Sequence, residues 1–109
     1  MILEDLKHAR INVNTSGDNE IIADPGDGKY IAIDFLTLNP DGGAQTLTFK
    51  SGSTTLFDMA LDDNQPLTFE NAMHHQKGVI TIADSQAFNL NLGASTSVKG
   101  FCRYRIVNG

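Results

Sequence analysis

The sequence predicts an all-β domain: an antiparallel β-sandwich, jelly-roll-like, with eight or nine strands and a short N-terminal arm. Three observations carry that expectation. From Arg10 to Val107, apolar residues recur at alternate positions in short runs, the period of a half-buried strand. Clusters rich in Gly, Pro, Asn, Asp and Ser separate the runs, as turn chemistry requires. No convincing helical pattern intervenes, so a sandwich or jelly roll is expected rather than an α/β architecture.

Residues 1–9 form a leader in which Ile2, Leu3 and Leu6 are spaced as one or two helical turns. Isolated helices that short are marginal in water. The leader therefore reads as a frayed terminus or a lid over the core, or else as an arm that packs on a neighbouring subunit. The domain proper is expected over residues 10–109.

Ile11 and Val13 alternate with polar neighbours in a first strand, and Thr15 to Asn19 make a turn. Ile21, Ile22 and Ala23 form a second run, ended by Asp24-Pro25-Gly26-Asp27-Gly28. Tyr30 to Leu38 is the longest β-forming run, apolar on both faces: Ile31, Ile33 and Phe35 on one, Ala32, Leu36 and Leu38 on the other. Such a run implies a central strand, or a bulge that swaps faces near Phe35. Asn39 to Gly43 read as a turn, and Leu47 and Phe49 define the hairpin partner. Phe57, Met59 and Leu61 share a face of the next strand, and Leu67 to Phe69 form a weak one. Glu70 to Lys77 is the least regular stretch. Ile80 and Ile82, then Phe88, Leu90 and Leu92, mark two further strands. In the last, Val98, Gly100, Cys102, Tyr104 and Ile106 share the parity expected of a core face. Lys99, Phe101, Arg103 and Arg105 share the opposite parity, expected to meet solvent or a partner.

A chain of 109 residues is one domain on length alone. Folding should remove roughly 11,000 Å² from water, giving on the order of 165 kcal/mol of apolar burial against an ordering cost of similar size. The margin is thin, and association would add to it. A net charge of −5 argues against a nucleic-acid surface, which needs clustered Lys and Arg. No stretch approaches the ~20 apolar residues of a membrane span. Met1 to Asp5 lack the basic and apolar regions of a signal peptide, so synthesis and folding in a cytoplasm are expected. Cys102 is the single cysteine, so no internal disulfide forms, and its parity marks a buried, inert thiol.

No residue constellation argues for catalysis. His74 and His75 are adjacent and so face opposite ways in an extended chain, and no metal-ligand spacing occurs. Asp24, Asp27, Asp58, Asp62 and Asp63 match no calcium loop, and turn formation explains Asp24 and Asp27. Lys50 to Thr54 lacks the upstream Gly and the helix of a phosphate loop. No nucleophile elbow or dinucleotide fingerprint is present. No cofactor, catalytic residue or metal ligand is expected. Sugar platforms usually use exposed aromatics, but the chain has no Trp, two Tyr, and six Phe that mostly fall on core faces. Phe101 is the exception, and an exposed Phe flanked by Arg is more typical of a protein interface.

The segments Arg10 to Asn19 (RINVNTSGDN), Gly28 to Ile31 (GKYI), Thr46 to Thr54 (TLTFKSGST) with Leu56, Phe88 to Leu92 (FNLNL), and Val98-Lys99-Gly100 followed by Tyr104 occur in that order. In this the chain resembles a family of small tailed-bacteriophage virion proteins, over most of Arg10 to Val107. It departs from that pattern at Asp58-Met59-Ala60 and over Asp62 to Lys77. The resemblance implies a β-sandwich or jelly roll that decorates or cements the phage head, commonly as a homotrimer, with the major capsid protein as partner. The implied location is the capsid surface of a virion assembled in the host bacterial cytoplasm. Ile2, Leu3 and Leu6 of the arm, with Lys99, Phe101, Arg103 and Arg105 of the last strand, are the expected protein-interface residues. The alternative is a receptor- or glycan-binding module of a phage tail or fibre, with its contacts in the Asp62 to Lys77 loop.

Overall fold

Alternating runs of β-formers pair here almost entirely with partners distant in sequence. The computed structural model describes residues 6–71 and 77–108. Its strands are β1 (Lys7–Val13), β2 (Gly17–Ile22), β3 (Lys29–Asp41), β4 (Gln45–Ser51), β5 (Thr54–Leu61), β6 (Leu67–Glu70), β7 (Ile80–Ile82), β8 (Phe88–Leu92) and β9 (Ser97–Asn108). One sheet runs β1-β9-β3-β6, with β7 also on β3; the other runs β2-β8-β4-β5. All the pairings are antiparallel. β1 to β4 alternate between the sheets, β5 stays beside β4, β6 and β7 return to β3, and β8 and β9 slot between the earlier strands, which is the winding of a jelly roll. The accessible surface of 6006 Å² matches the roughly 5,900 Å² expected for a folded chain of this mass.

The two inner faces bury Ile11, Ile31, Ile33, Leu36, Leu38, Leu47, Phe49, Phe88, Leu90, Leu92, Val98 and Cys102. Phe49 centres an aromatic stack, 4.6 Å from Phe57 and 6.3 Å from Phe88 between ring centroids, with Phe69 edge-on to it. The core-face residues of the last strand point as their parity predicts: Val98 and Cys102 are buried, and Tyr104 and Ile106 pack partly buried against the core.

β3 is both central and bulged. It lies between β9 on one side and β6 and β7 on the other, and its register shifts between Ile33 and Phe35. Asp34 is the extra residue. The slip turns Phe35 outward and leaves Leu36 and Leu38 in the core, because one inserted residue exchanges every later side chain between faces. The grouping of Phe35 with Ile31 and Ile33 is corrected accordingly. On the outer side of the same sheet, Tyr30, Ala32 and Val107 form a second small buried cluster.

Three boundaries differ from those read in the sequence. β1 begins at Lys7, so residues 7–9, assigned to the arm, are strand paired with β9. β2 begins at Gly17, inside the expected turn. β3 runs on through Asn39-Pro40-Asp41, also read as a turn. Pro40 sits opposite Val98, while its carbonyl accepts from the Asn64 amide at 2.9 Å, away from β9. The missing N–H of Pro40 therefore faces the side beyond the end of β6, where no ladder bond is lost. The turn is confined to Gly42 and Gly43, both with positive φ. Ile2, Leu3, His74 and His75 lie outside the described residues.

Candidate protein-binding face

Outward-facing side chains of β1, β9, β3 and β6 converge on one surface. The β1–β9–β3 register sets Arg10 beside Phe101 and Phe101 beside Thr37, and the next outward row sets His8 beside Arg103 and Arg103 beside Phe35. Thr68 of β6 continues the first row, its hydroxyl 3.1 Å from that of Thr37. Phe101 is 40% exposed, its ring 5.6 Å from that of Phe35. The Arg103 guanidinium lies 4.9 Å from the centre of the Phe35 ring. The Nε of Arg103 is buried there and has no hydrogen-bond partner among the described residues.

Ion pairs flank this centre. Lys99 Nζ meets Asp41 at 2.9 Å, both side chains about half exposed. Arg105 donates to Asp34 from Nε at 2.8 Å and from a terminal nitrogen at 3.2 Å, and Asn71 donates to the same carboxylate at 3.1 Å. The bulge residue Asp34 thus has a use: it supplies the carboxylate that fixes Arg105.

The fold brings together Lys99, Phe101, Arg103 and Arg105, as expected, but gives them different roles. Lys99 and Arg105 are tied to carboxylates of their own chain, whereas Phe101 and Arg103 occupy the middle. Leu6 is exposed just ahead of β1. Sequence reading missed Arg10, His8, Phe35 and Thr37 as members of this surface, since all four arrive through strand partnerships. The alternating parity of Arg10 and His8 on β1 was the available signal.

The outer face of the other sheet is different in character. It carries Asp18 and Glu20 of β2, Asn89 and Asn91 of β8, Thr48 and Lys50 of β4, and Asp58 of β5. Lys50 Nζ reaches both Asp18 carboxylate oxygens at 3.1 Å, and Asn91 donates to Asp18 at 2.7 Å. Those hydrogen bonds, that of Asn91 foremost, hold the Asp18 carboxyl below its ordinary value.

Other features offer little for chemistry. Burial pushes the Cys102 thiol up to about 11, so it is protonated and shielded rather than nucleophilic. Burial likewise raises the Tyr104 phenol. Among the described residues, no group of three or more His, Cys, Asp or Glu is placed to hold a metal ion. No helix among them is long and apolar enough to cross a membrane. A depression near Ala60 and Asp62 is floored by Gln45, whose buried amide is already saturated: it donates to the Ala94 and Thr96 carbonyls and accepts from the Thr46 and Ala94 amides.

No protein-family model matches the chain, and no curated protein sequence does. Among solved structures it is similar to a chain from Bacillus endospore appendages, described as a novel family of disulfide-linked pili. The TM-score is 0.57 with 16% identity, covering 95% of this chain and 87% of that one. At that identity the likeness is one of fold.

Proposed function

We propose that the protein is a non-catalytic structural subunit of a phage virion, which decorates and stabilises the capsid by binding the major capsid protein, as a trimer on the capsid surface. One observation carries this reading: an aromatic centre, Phe35 and Phe101, sits with Arg103 and Arg10 inside a rim of satisfied ion pairs. Interface centres are enriched in aromatic residues and Arg, while rim charges fix orientation. A buried Nε–H without an acceptor adds a second reason for a partner, since an unmade hydrogen bond at such a site costs about 1–3 kcal/mol. Many copies on a repeating lattice gain from avidity, so each contact need only be modest.

The test is to add the purified protein to shells of the cognate major capsid protein that lack it, then heat them. Raised shell stability supports the reading, and unchanged stability with no retained protein overturns it. The likeness to a pilus subunit favours a second reading, a subunit of a protein fibre. Disulfide linkage does not transfer with it through Cys102, which is buried.

A further inference from the structure

Among the described residues one sheet ends at β1 and at β6 and β7, the other at β2 and β5, and β1 and β5 are the longest of these edges. Both are long for edges. β5 exposes Thr54, Thr55, Leu56, Asp58 and Ala60, and β1 exposes Lys7, His8, Arg10 and Asn12. Neither contains a proline, and Lys7 at the start of β1 is the only lysine in either, so the chief device against accepting another strand is a bulge at Leu56, near the start of β5. The two edges also differ in sign. β1 carries Lys7, His8 and Arg10 with no acid, while β5 carries Asp58 and leads into Asp62 and Asp63 with no base.

We propose that the β5 edge of one copy pairs with the β1 edge of a second copy, joining two sandwiches into one continuous sheet. Length and charge together select this partnership: β6 and β7 are only four and three residues long, and of the two acids on β2, Asp18 is already tied to Lys50 and Asn91 of its own chain. Pairing β5 with itself opposes Asp58 to its own copy, and pairing β1 with itself opposes cations. The β2 edge carries Asp18 and Glu20, so β5 is repelled there as well, chiefly by Glu20.

Side-chain parity fixes the register. An antiparallel pairing with Asp58 opposite Arg10 sets Phe57 against Ile11 and Met59 against Ala9. All four of these inward residues belong to or pack on the core, while Asp58 and Arg10 both face outward. A shift by one residue would point Asp58 at an apolar face. Because the two edges are different surfaces, the contact is head-to-tail. It builds either a closed ring, of which a trimer is the small case, or an open chain. It does not depend on what the outer face binds.

The experiment is sedimentation velocity of the full chain across a concentration series reaching millimolar, with folding followed by thermal melting. The wild-type protein should show mass rising with concentration. Asp58→Arg and Arg10→Asp should each weaken association about tenfold, since each turns an opposed pair into a like pair. Mixing the two variants in equal amounts should restore it fully in an open chain, where the two alternate, and in part in a trimer, where one of the three junctions stays a like pair. Phe101→Ser, on the outer face, should associate like wild type, which separates this proposal from the shell-binding one. A wild-type protein that stays monomeric throughout overturns the proposal. So does association that neither swap weakens, or that mixing does not restore even in part.

Discussion

The guanidinium of Arg103 lies over the Phe35 ring, 4.9 Å from the ring centre. The contact exists because Asp34 is inserted as a bulge, which turns Phe35 out of the core and opposite Arg103. It keeps a cation half-buried at the centre of a face whose other β9 and β3 charges are paired. Replacing Arg103 by Ala should cost about 1 kcal/mol of stability, the scale of a partly desolvated cation–π contact. Arg103→Lys should keep most of that stability but lose shell retention, because Lys lacks the planar fork. Denaturant melts and shell co-sedimentation on the same samples check both outcomes.

Gly100 of β9 lies opposite Leu38 of β3. A Cβ there would lie 2.0 Å from the Thr37 carbonyl oxygen and 2.7 Å from the Leu38 Cα, both backbone atoms of a central strand. Gly100→Ala should therefore destabilise by about 3 kcal/mol or more, or prevent folding. Gly28→Ala is the control. Gly28 has a φ of +72° with nothing within 4 Å of the added Cβ, so only the left-handed backbone strain of about 1 kcal/mol applies. Urea melts of the two variants should rank them in that order.

Gln45 holds the β8–β9 turn to β4 from a buried position. Gln45→Ala leaves the Ala94 amide and the Ala94 and Thr96 carbonyls short of their partner, and should cost about 2–4 kcal/mol. Gln45→Glu should be worse at neutral pH, since a carboxylate would face two carbonyl oxygens. It should recover in part on acidification, as the protonated acid regains a donor. Melting midpoints of the Glu variant against pH test the sign.

Asp18 contributes to the acid limb of stability. Its carboxyl is held below the ordinary value in the folded state, first by the Asn91 hydrogen bond and then by Lys50. The stabilisation is complete above the unfolded-state pKa and is lost as pH falls through the lower folded-state value. Asp18 is nearly half exposed, so solvent screening keeps the effect small. Asn91→Ala should flatten that part of the stability-against-pH profile by lowering stability slightly at neutral pH and leaving it unchanged at low pH, as denaturant melts across pH would show.

The thiol of Cys102 should react only when the protein opens. Burial and a value pushed up to about 11 leave almost no accessible thiolate near neutrality. Labelling by a disulfide reagent should follow global unfolding rates and accelerate in the Gly100→Ala variant, if that variant folds.

Strand positions and inward faces were legible because a half-buried strand writes its period into the sequence. Phe88-Asn89-Leu90-Asn91-Leu92 shows it plainly, and the structure buries all three apolar residues. Apolarity on both sides of β3 correctly signalled a central, bulged strand. Turn residues were weaker guides. Asn39-Pro40-Asp41 has the composition of a turn, yet cross-strand pairing with β9 carries it on as strand. The candidate face was half legible. Residues of β9 were visible through their own parity, whereas Arg10 and Phe35 join them only through strand order and a one-residue slip, which no local pattern records.

Binding of the protein to undecorated shells of the cognate major capsid protein, measured by co-sedimentation for wild type and for Phe101→Asp, tests whether this face holds the protein on the shell. The expected result is saturable binding of wild type and at least a tenfold loss for a variant that melts like wild type, because a carboxylate would replace the exposed ring at the centre of the face. Equal binding by the two proteins, or none by either, would contradict it.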